Sequence, residues 1–136
     1  MRRAADGRPL AEPDPTSRPY FDALSAGRLL LPHCPRDGWF FYPRSRCPAC
    51  LGADWQWREA SGRGRVHAFT VDRLGHEPGL KARVPFVIAL IELDEGPRLP
   101  SNVCGCAPED VHIGMPVEAF VEMIDGAPVL AFRPVS

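Results

Sequence analysis

The sequence predicts a mainly β protein: a short N-terminal helix, a small cysteine-knuckle module and a C-terminal closed barrel of five or six strands. Three observations point there. Two turns, Cys34-x2-Asp37 and Cys47-x2-Cys50, interrupt short strand-like runs. From Trp55 onward apolar and polar residues alternate with the two-residue period of strands. Only one stripe, Tyr20, Phe21 and Leu24, has helical spacing, just after Pro19.

Residues 1–18 carry Pro9, Pro13 and Pro15 among charged and small residues and read as a flexible arm, unable to bury enough apolar surface to order itself. A helix follows. Ser17 or Arg18 sits at its cap, Pro19 suits its first turn, and Gly27 supplies the left-handed residue that ends it. Its apolar stripe has two readings, packing on its own protein or docking on a partner. Residues 19–53 form helix plus knuckle module. Their runs Leu29–Leu31 and Trp39–Tyr42 are too short to build a core.

Residues 54–136 read as strands, with Trp55 and Trp57 opening the series and Gly62-Arg63-Gly64 making a turn or bulge. Arg65–Val71 follows. Phe86–Leu93 is apolar on both faces, as in a strand buried on both sides or covered by a partner. Asp94-Glu95-Gly96-Pro97 turns the chain into Arg98–Cys104. After one helical turn within 108–114, Met115–Met123 and Val129–Phe132 close the set around an Asp125-Gly126 hairpin signal. Such a strand count, with a small helix before the penultimate strand, fits a small barrel.

The chain has 136 residues. That length holds one domain or two small modules and excludes a (β/α)8 barrel, a two-domain dinucleotide enzyme and a protein kinase. With 45% hydrophobic and 24% charged residues, wholesale disorder is excluded. The net charge of -1 gives no overall field toward nucleic acid or an anionic membrane. Residues 1–65 carry 11 Arg against 7 acids, while residues 66–136 carry 4 Arg and 1 Lys against 10 acids. The two halves thus suit different neighbours. Five cysteines, and an opening Met1-Arg2-Arg3-Ala4-Ala5-Asp6 without an apolar run, lead us to expect a cytoplasmic, reducing setting with free thiols. The apolar run Val84–Leu93 is interrupted by Pro85 and is far shorter than the ~20 residues of a membrane helix.

Cys34, Asp37, Cys47 and Cys50 are the candidate metal ligands. Two knuckles present their donors toward one point, and metal binding can supply the folding energy that a coreless module lacks. Asp37 occupies the second ligand position of the first knuckle, followed by the Gly38 its turn requires. Aspartate is a harder donor for zinc than thiolate, and His33 stands next door as another donor. The competing reading is a metal-free loop with relict thiols, held by Trp39, Phe40 and Tyr42. Cys104 and Cys106 read as small half-core residues at a strand end. His67, His76 and His112 form no recognisable triad with a Ser or Cys, so no catalytic residue is assigned. Arg44 and Arg63, with Arg46 and Arg65 near them in sequence, read either as contacts for phosphate or an acidic partner or as solvated charge.

The order of these motifs resembles the domain-of-unknown-function thirty-five family. Pro19-Tyr20-Phe21-Asp22-Ala23-Leu24, Gly27-Arg28-Leu29, Cys34-Pro35-Arg36-Asp37-Gly38 and Pro43 to Cys50 carry the first half. Ser61-Gly62-Arg63-Gly64, Pro85-Phe86-Val87, Glu92 to Arg98 and Ile113 to Val117 carry the second. Asp37 is the departure, since the zinc-binding members of that family have cysteine there.

The resemblance implies an N-terminal helix, a rubredoxin-like zinc ribbon and a C-terminal five-stranded OB-fold. It further implies a non-catalytic accessory subunit beside a thiolase-like partner in a hetero-oligomer: a thiolase, aldolase or acyltransferase acting on acyl-CoA. The partner would supply the reactive groups, zinc would sit in the ribbon, and a coenzyme A thioester would be the shared ligand. Tyr20, Phe21, Leu24, Arg44 and Arg63 are the expected partner or acyl-CoA contacts. The alternatives are a single-stranded nucleic-acid-binding OB-fold, which the acidic second half disfavours, and a stand-alone zinc enzyme, which lacks a nearby His–Glu pair.

Overall fold

The computed structural model describes residues 2–135. Its centre is a closed five-stranded barrel of β6 (Arg63–Asp72), β7 (Phe86–Leu93), β8 (Arg98–Val103), β9 (Pro116–Ile124) and β10 (Ala127–Pro134). The strands follow the cyclic order β10-β8-β7-β6-β9, and every pairing is antiparallel except β10 with β8, where Phe132 lies opposite Val103. That order, with its one parallel closure, is the five-stranded Greek-key barrel of an OB-fold.

Alternation along β7 builds the interior. Val87, Ala89, Ile91 and Leu93 point inward and are buried, whereas Ile88 on the opposite face is 40% exposed. The doubly apolar run Phe86–Leu93 therefore has one core face and one half-open face.

Closure needs a glycine at one point. Gly64 pairs with Leu93 of β7 and with Val117 of β9, and a Cβ there would lie 2.5 Å from the Glu92 carbonyl oxygen. A side chain would push the strands apart at the seam. A bulge between Val66 and Ala68 adds the local twist that a small barrel requires. The β9–β10 hairpin turns through Asp125 (φ 49°) and Gly126 (φ 81°), the pair of left-handed residues that a type I′ turn demands.

Ahead of the barrel, α1 (Arg18–Ser25) starts after Ser17 with Pro19 in its first turn. Gly27 N–H donates to Leu24 O and Arg28 N–H to Ala23 O, a Schellman closure made possible by Gly27 at φ 76°. Tyr20 and Leu24 then pack with Leu29 and Leu31 into the same apolar cluster as the barrel residues Val66, Ile91, Val117 and Phe132. The ribbon is a three-stranded sheet in the order β4-β3-β5, with β3 at Leu30–Cys34, β4 at Gly38–Trp39 and β5 at Gln56–Glu59.

Two boundaries differ from the sequence reading. Residues 56–59 complete the ribbon sheet, pairing Leu30 with Glu59 and Pro32 with Trp57, so Trp57 does not open the barrel. Alternation identifies a strand but not the sheet that receives it. Residues 1–18 are not an unstructured arm throughout. The short strands β1 (Arg2–Arg3) and β2 (Pro9–Leu10) pair with each other, and Ala4 and Leu10 are buried against Ala127. Arg2 and the Ala5 backbone N–H hold the Asp125 carbonyl and carboxylate. The apolar partner for this segment lies more than a hundred residues away, beyond the reach of local composition.

Phe132 is fully buried where β10 meets β8. Replacing it with alanine is expected to cost about 3–5 kcal/mol, read as a lowered urea midpoint at unchanged slope.

Candidate metal centre and the chain's relatives

The β3–β4 hairpin makes the first knuckle. Cys34 ends β3 opposite Gly38, whose φ of 82° lets the chain reverse through Pro35-Arg36-Asp37. The second knuckle is the turn in which Leu51 N–H donates to Cys47 O and Cys47 N–H to Gly52 O. One donor atom from each of Cys34, Asp37, Cys47 and Cys50 lies within 4.8 Å of the other three.

The spacing fits a tetrahedral ion. With zinc–sulfur bonds of about 2.3 Å and zinc–oxygen bonds of about 2.1 Å, tetrahedral angles put two sulfurs about 3.8 Å apart and a sulfur and an oxygen about 3.6 Å apart. Cys34 Sγ lies 3.7 Å from Cys50 Sγ, and Asp37 Oδ2 lies 3.6 Å from Cys34 Sγ and 3.5 Å from Cys47 Sγ. Three thiols and a carboxylate also form a donor set that zinc accepts.

The electrostatics favour the anionic forms of Cys34 and Asp37 but not that of Cys47. Burial pushes the Cys34 thiol up, but the backbone N–H groups of Arg36 and Asp37 and the thiols of Cys50 and Cys47 outweigh it, and the thiol rests below its ordinary value. Asp37 is held below the usual carboxylate range, first by Cys50 and further by Cys47, Cys34 and Arg36. For Cys47 the Cys50 backbone N–H pulls down, yet burial and the neighbouring thiols of Cys34 and Cys50 leave it raised.

Sequence reasoning missed the support around these ligands. Arg36 holds Asp54 through both guanidinium arms, at 3.0 and 2.5 Å, and directs the second arm to Cys50 Sγ at 3.5 Å. An arginine inside the first knuckle was the available signal. Trp55 donates its indole N–H to Ser45 O at 3.1 Å and meets Phe40 edge-on at 5.7 Å, bracing the knuckles from behind.

His33 is not brought into the donor set. As a strand neighbour of Cys34 it points to the other face, where its Nε2 lies 3.3 Å from Arg58 Nη1 and its ring meets Trp39. Cys104 and Cys106 follow β8 as half-buried thiols, and burial raises both.

The expected partner contacts divide. Tyr20 and Leu24 are only 9% and 1% exposed and belong to the protein's own core, so the reading of the stripe as self-packing describes them. Phe21 is half-buried, meeting the Tyr20 ring edge-on at 5.0 Å. Arg44 and Arg63 are exposed and carry no carboxylate partner among the described residues.

A knuckle ribbon with a donor set that could hold a metal ion, followed by an OB barrel, defines a ribbon–OB protein. Two family models cover these parts: "ChsH2, rubredoxin-like zinc ribbon domain" over residues 21–56 and "ChsH2, C-terminal OB-fold domain" over residues 57–122. A "DUF35 domain-containing scaffold protein" of Methanocaldococcus jannaschii is 37% identical over 98 residues, 71% of this chain and 69% of that protein. The chain belongs to this DUF35 family.

It also matches a "Probable enoyl-CoA hydratase alpha subunit" of Thermomonospora curvata, 36% identical over 119 residues. That match takes in 85% of this chain but only 36% of the relative, so the chain spans about a third of its length. Among solved structures, a chain of the "Ltp2-ChsH2(DUF35) aldolase" superposes with a TM-score of 0.80 at 33% identity, covering 91% of this chain and 98% of that one. Among the described residues no helix is long and apolar enough to cross a membrane.

Cys47→Ser is expected to lower zinc, counted by elemental analysis, from about one ion per chain to near zero, with loss of the ribbon's amide-exchange protection. Asp37→Cys should act in the opposite direction, raising by about tenfold the chelator concentration needed for half-release, because a fourth thiolate is a softer donor than a carboxylate.

Proposed function

We propose that this chain is an accessory subunit of a hetero-oligomeric acyl-CoA enzyme complex, working beside a thiolase-like partner that carries the reacting groups. The observation that carries this reading is the near end-to-end match with a chain of the Ltp2-ChsH2(DUF35) aldolase, at a TM-score of 0.80. The scaffold and hydratase-subunit names of the sequence relatives support the same class.

Local chemistry supports it too. Each of the four histidines is accounted for without a Ser or Cys hydrogen bond among the described residues. His33 faces Arg58, His67 lies 3.7 Å from Glu92, His112 lies 3.3 Å from the Asp110 carbonyl oxygen, and His76 is exposed. Arg44 and Arg63 have no carboxylate partner among the described residues, and guanidinium groups hold phosphate in two-pronged fashion, so they suit the phosphates of a coenzyme A thioester shared with the partner.

The partner's identity is tested by affinity purification of the tagged full chain from its native host, with mass-spectrometric identification of what co-elutes. A stoichiometric thiolase-like protein, and thioester turnover only by the pair, is the expected result. Turnover by the purified chain alone would overturn the reading. In the assembled complex, Arg44→Glu with Arg63→Glu should weaken coenzyme A binding about tenfold by calorimetry while leaving the zinc count unchanged.

A further inference from the structure

A cleft of about 490 Å3 opens where the N-terminal hairpin, α1, the ribbon and the barrel meet. Leu10 contributes from the hairpin, Tyr20 and Phe21 from the helix, Phe41 from the ribbon, and Leu99 and Leu130 from the barrel. The volume lies in the ~300–1,000 Å3 range of small-molecule sites, and such sites combine an apolar lining with a few placed polar groups.

Arg2 is the single charged residue along the lining, and its guanidinium is engaged by the Asp125 carbonyl oxygen. A wall of this kind offers a phosphate one guanidinium at its edge and otherwise mainly apolar surface. It is also poorly suited to a protein segment, because the N-terminal hairpin already forms one side.

Among the lining residues, Tyr20 carries a hydroxyl without an answer. Tyr20 is 9% exposed, and its hydroxyl has no hydrogen-bond partner among the described residues. Nor is that hydroxyl sealed off from open volume, since among the described residues no buried side-chain oxygen is left unsatisfied. Burial, with Tyr42 nearby, pushes its pKa up to about 12, so it is a neutral O–H donor at any working pH. The hydroxyl is therefore a donor open to the cleft, and a ligand oxygen placed there accepts from it.

We propose that this cleft binds a small apolar ligand, an aliphatic or alicyclic body bearing one accepting oxygen that the Tyr20 hydroxyl engages. The described lining comes from this chain alone.

Two fluorescent probes test it on the full-length chain. Prodan has an apolar aromatic body and one ketone oxygen; diphenylhexatriene is a pure hydrocarbon of similar reach. Both are expected to bind saturably at one site. Tyr20→Phe should weaken Prodan about fivefold, the worth of one hydrogen bond, and leave diphenylhexatriene unchanged. Ala11→Trp, at an exposed lining position that does not endanger the fold, and Leu130→Trp should each weaken both probes about tenfold by filling the space.

The proposal fails if the unaltered chain shows no saturable binding, if Tyr20→Phe weakens both probes equally, or if binding survives Ala11→Trp in a protein with an unchanged melting curve. Partner co-elution is scored separately on the same variants. Loss of the complex with probe binding intact therefore counts against the accessory-subunit reading and not against the cleft.

Discussion

The convergence of Cys34, Asp37, Cys47 and Cys50 is the constraint on which the outer half of the ribbon depends. The inner half borrows the barrel's core, since Leu29 and Leu31 sit in one cluster with Ile91 and Phe132. The outer half cannot. Its own apolar cluster is Cys34, Phe40 and Cys47 with Trp55 against them, far too little to offset the entropy of ordering two loops. An ion held by all four donors would close both loops at one point, where the hydrophobic effect has almost no area to act on.

Most of this was legible in the sequence, because the governing residues act locally. Pro19 and Gly27 bound α1, Asp125-Gly126 turns the last hairpin, and two short spacings bring the donor set together. The five-stranded barrel followed from alternation and from the order of motifs. What could not be read depends on partners distant in the chain. Ala4 and Leu10 look like part of a polar arm until Ala127 is folded against them. Trp57 has the right period for either sheet, and only pairing with Pro32 assigns it to the ribbon. Tyr20 and Leu24 form an apolar stripe whose destination is a matter of tertiary packing. No local pattern announces a cleft assembled from four separate segments.

The uneven charge takes on a clearer meaning in the fold. Several arginines of the first half are neutralised across the chain: Arg3 by Glu77, Arg28 by Glu59 and Arg36 by Asp54. Exposed pairs of this kind contribute little to stability, typically about 0–1 kcal/mol. Their effect is selective instead. They remove charge from some parts of the surface and leave it on others, Arg44 and Arg63 among them, so an overall charge of -1 conceals local cationic positions. Net charge disfavours a nucleic-acid groove without excluding discrete anion contacts, which need only one or two well-placed guanidinium groups.

The ribbon and the cleft are joined through three consecutive aromatics. Phe40 packs into the small cluster behind the knuckles, while Phe41, the next residue, packs on the main core and lines the cleft with Tyr42. The donor cluster and Trp55 fix Phe40, and the peptide chain then leaves Phe41 little freedom. The Tyr20 ring lies 6.1 Å from that of Phe41, so the phenol that faces the open volume is steadied by the same segment. A chain whose knuckles are open loses the anchor of one cleft wall even though every barrel strand remains in register. Asp37 would sit at the sensitive end of that linkage, because an exposed carboxylate is a harder zinc donor than the three thiols around it.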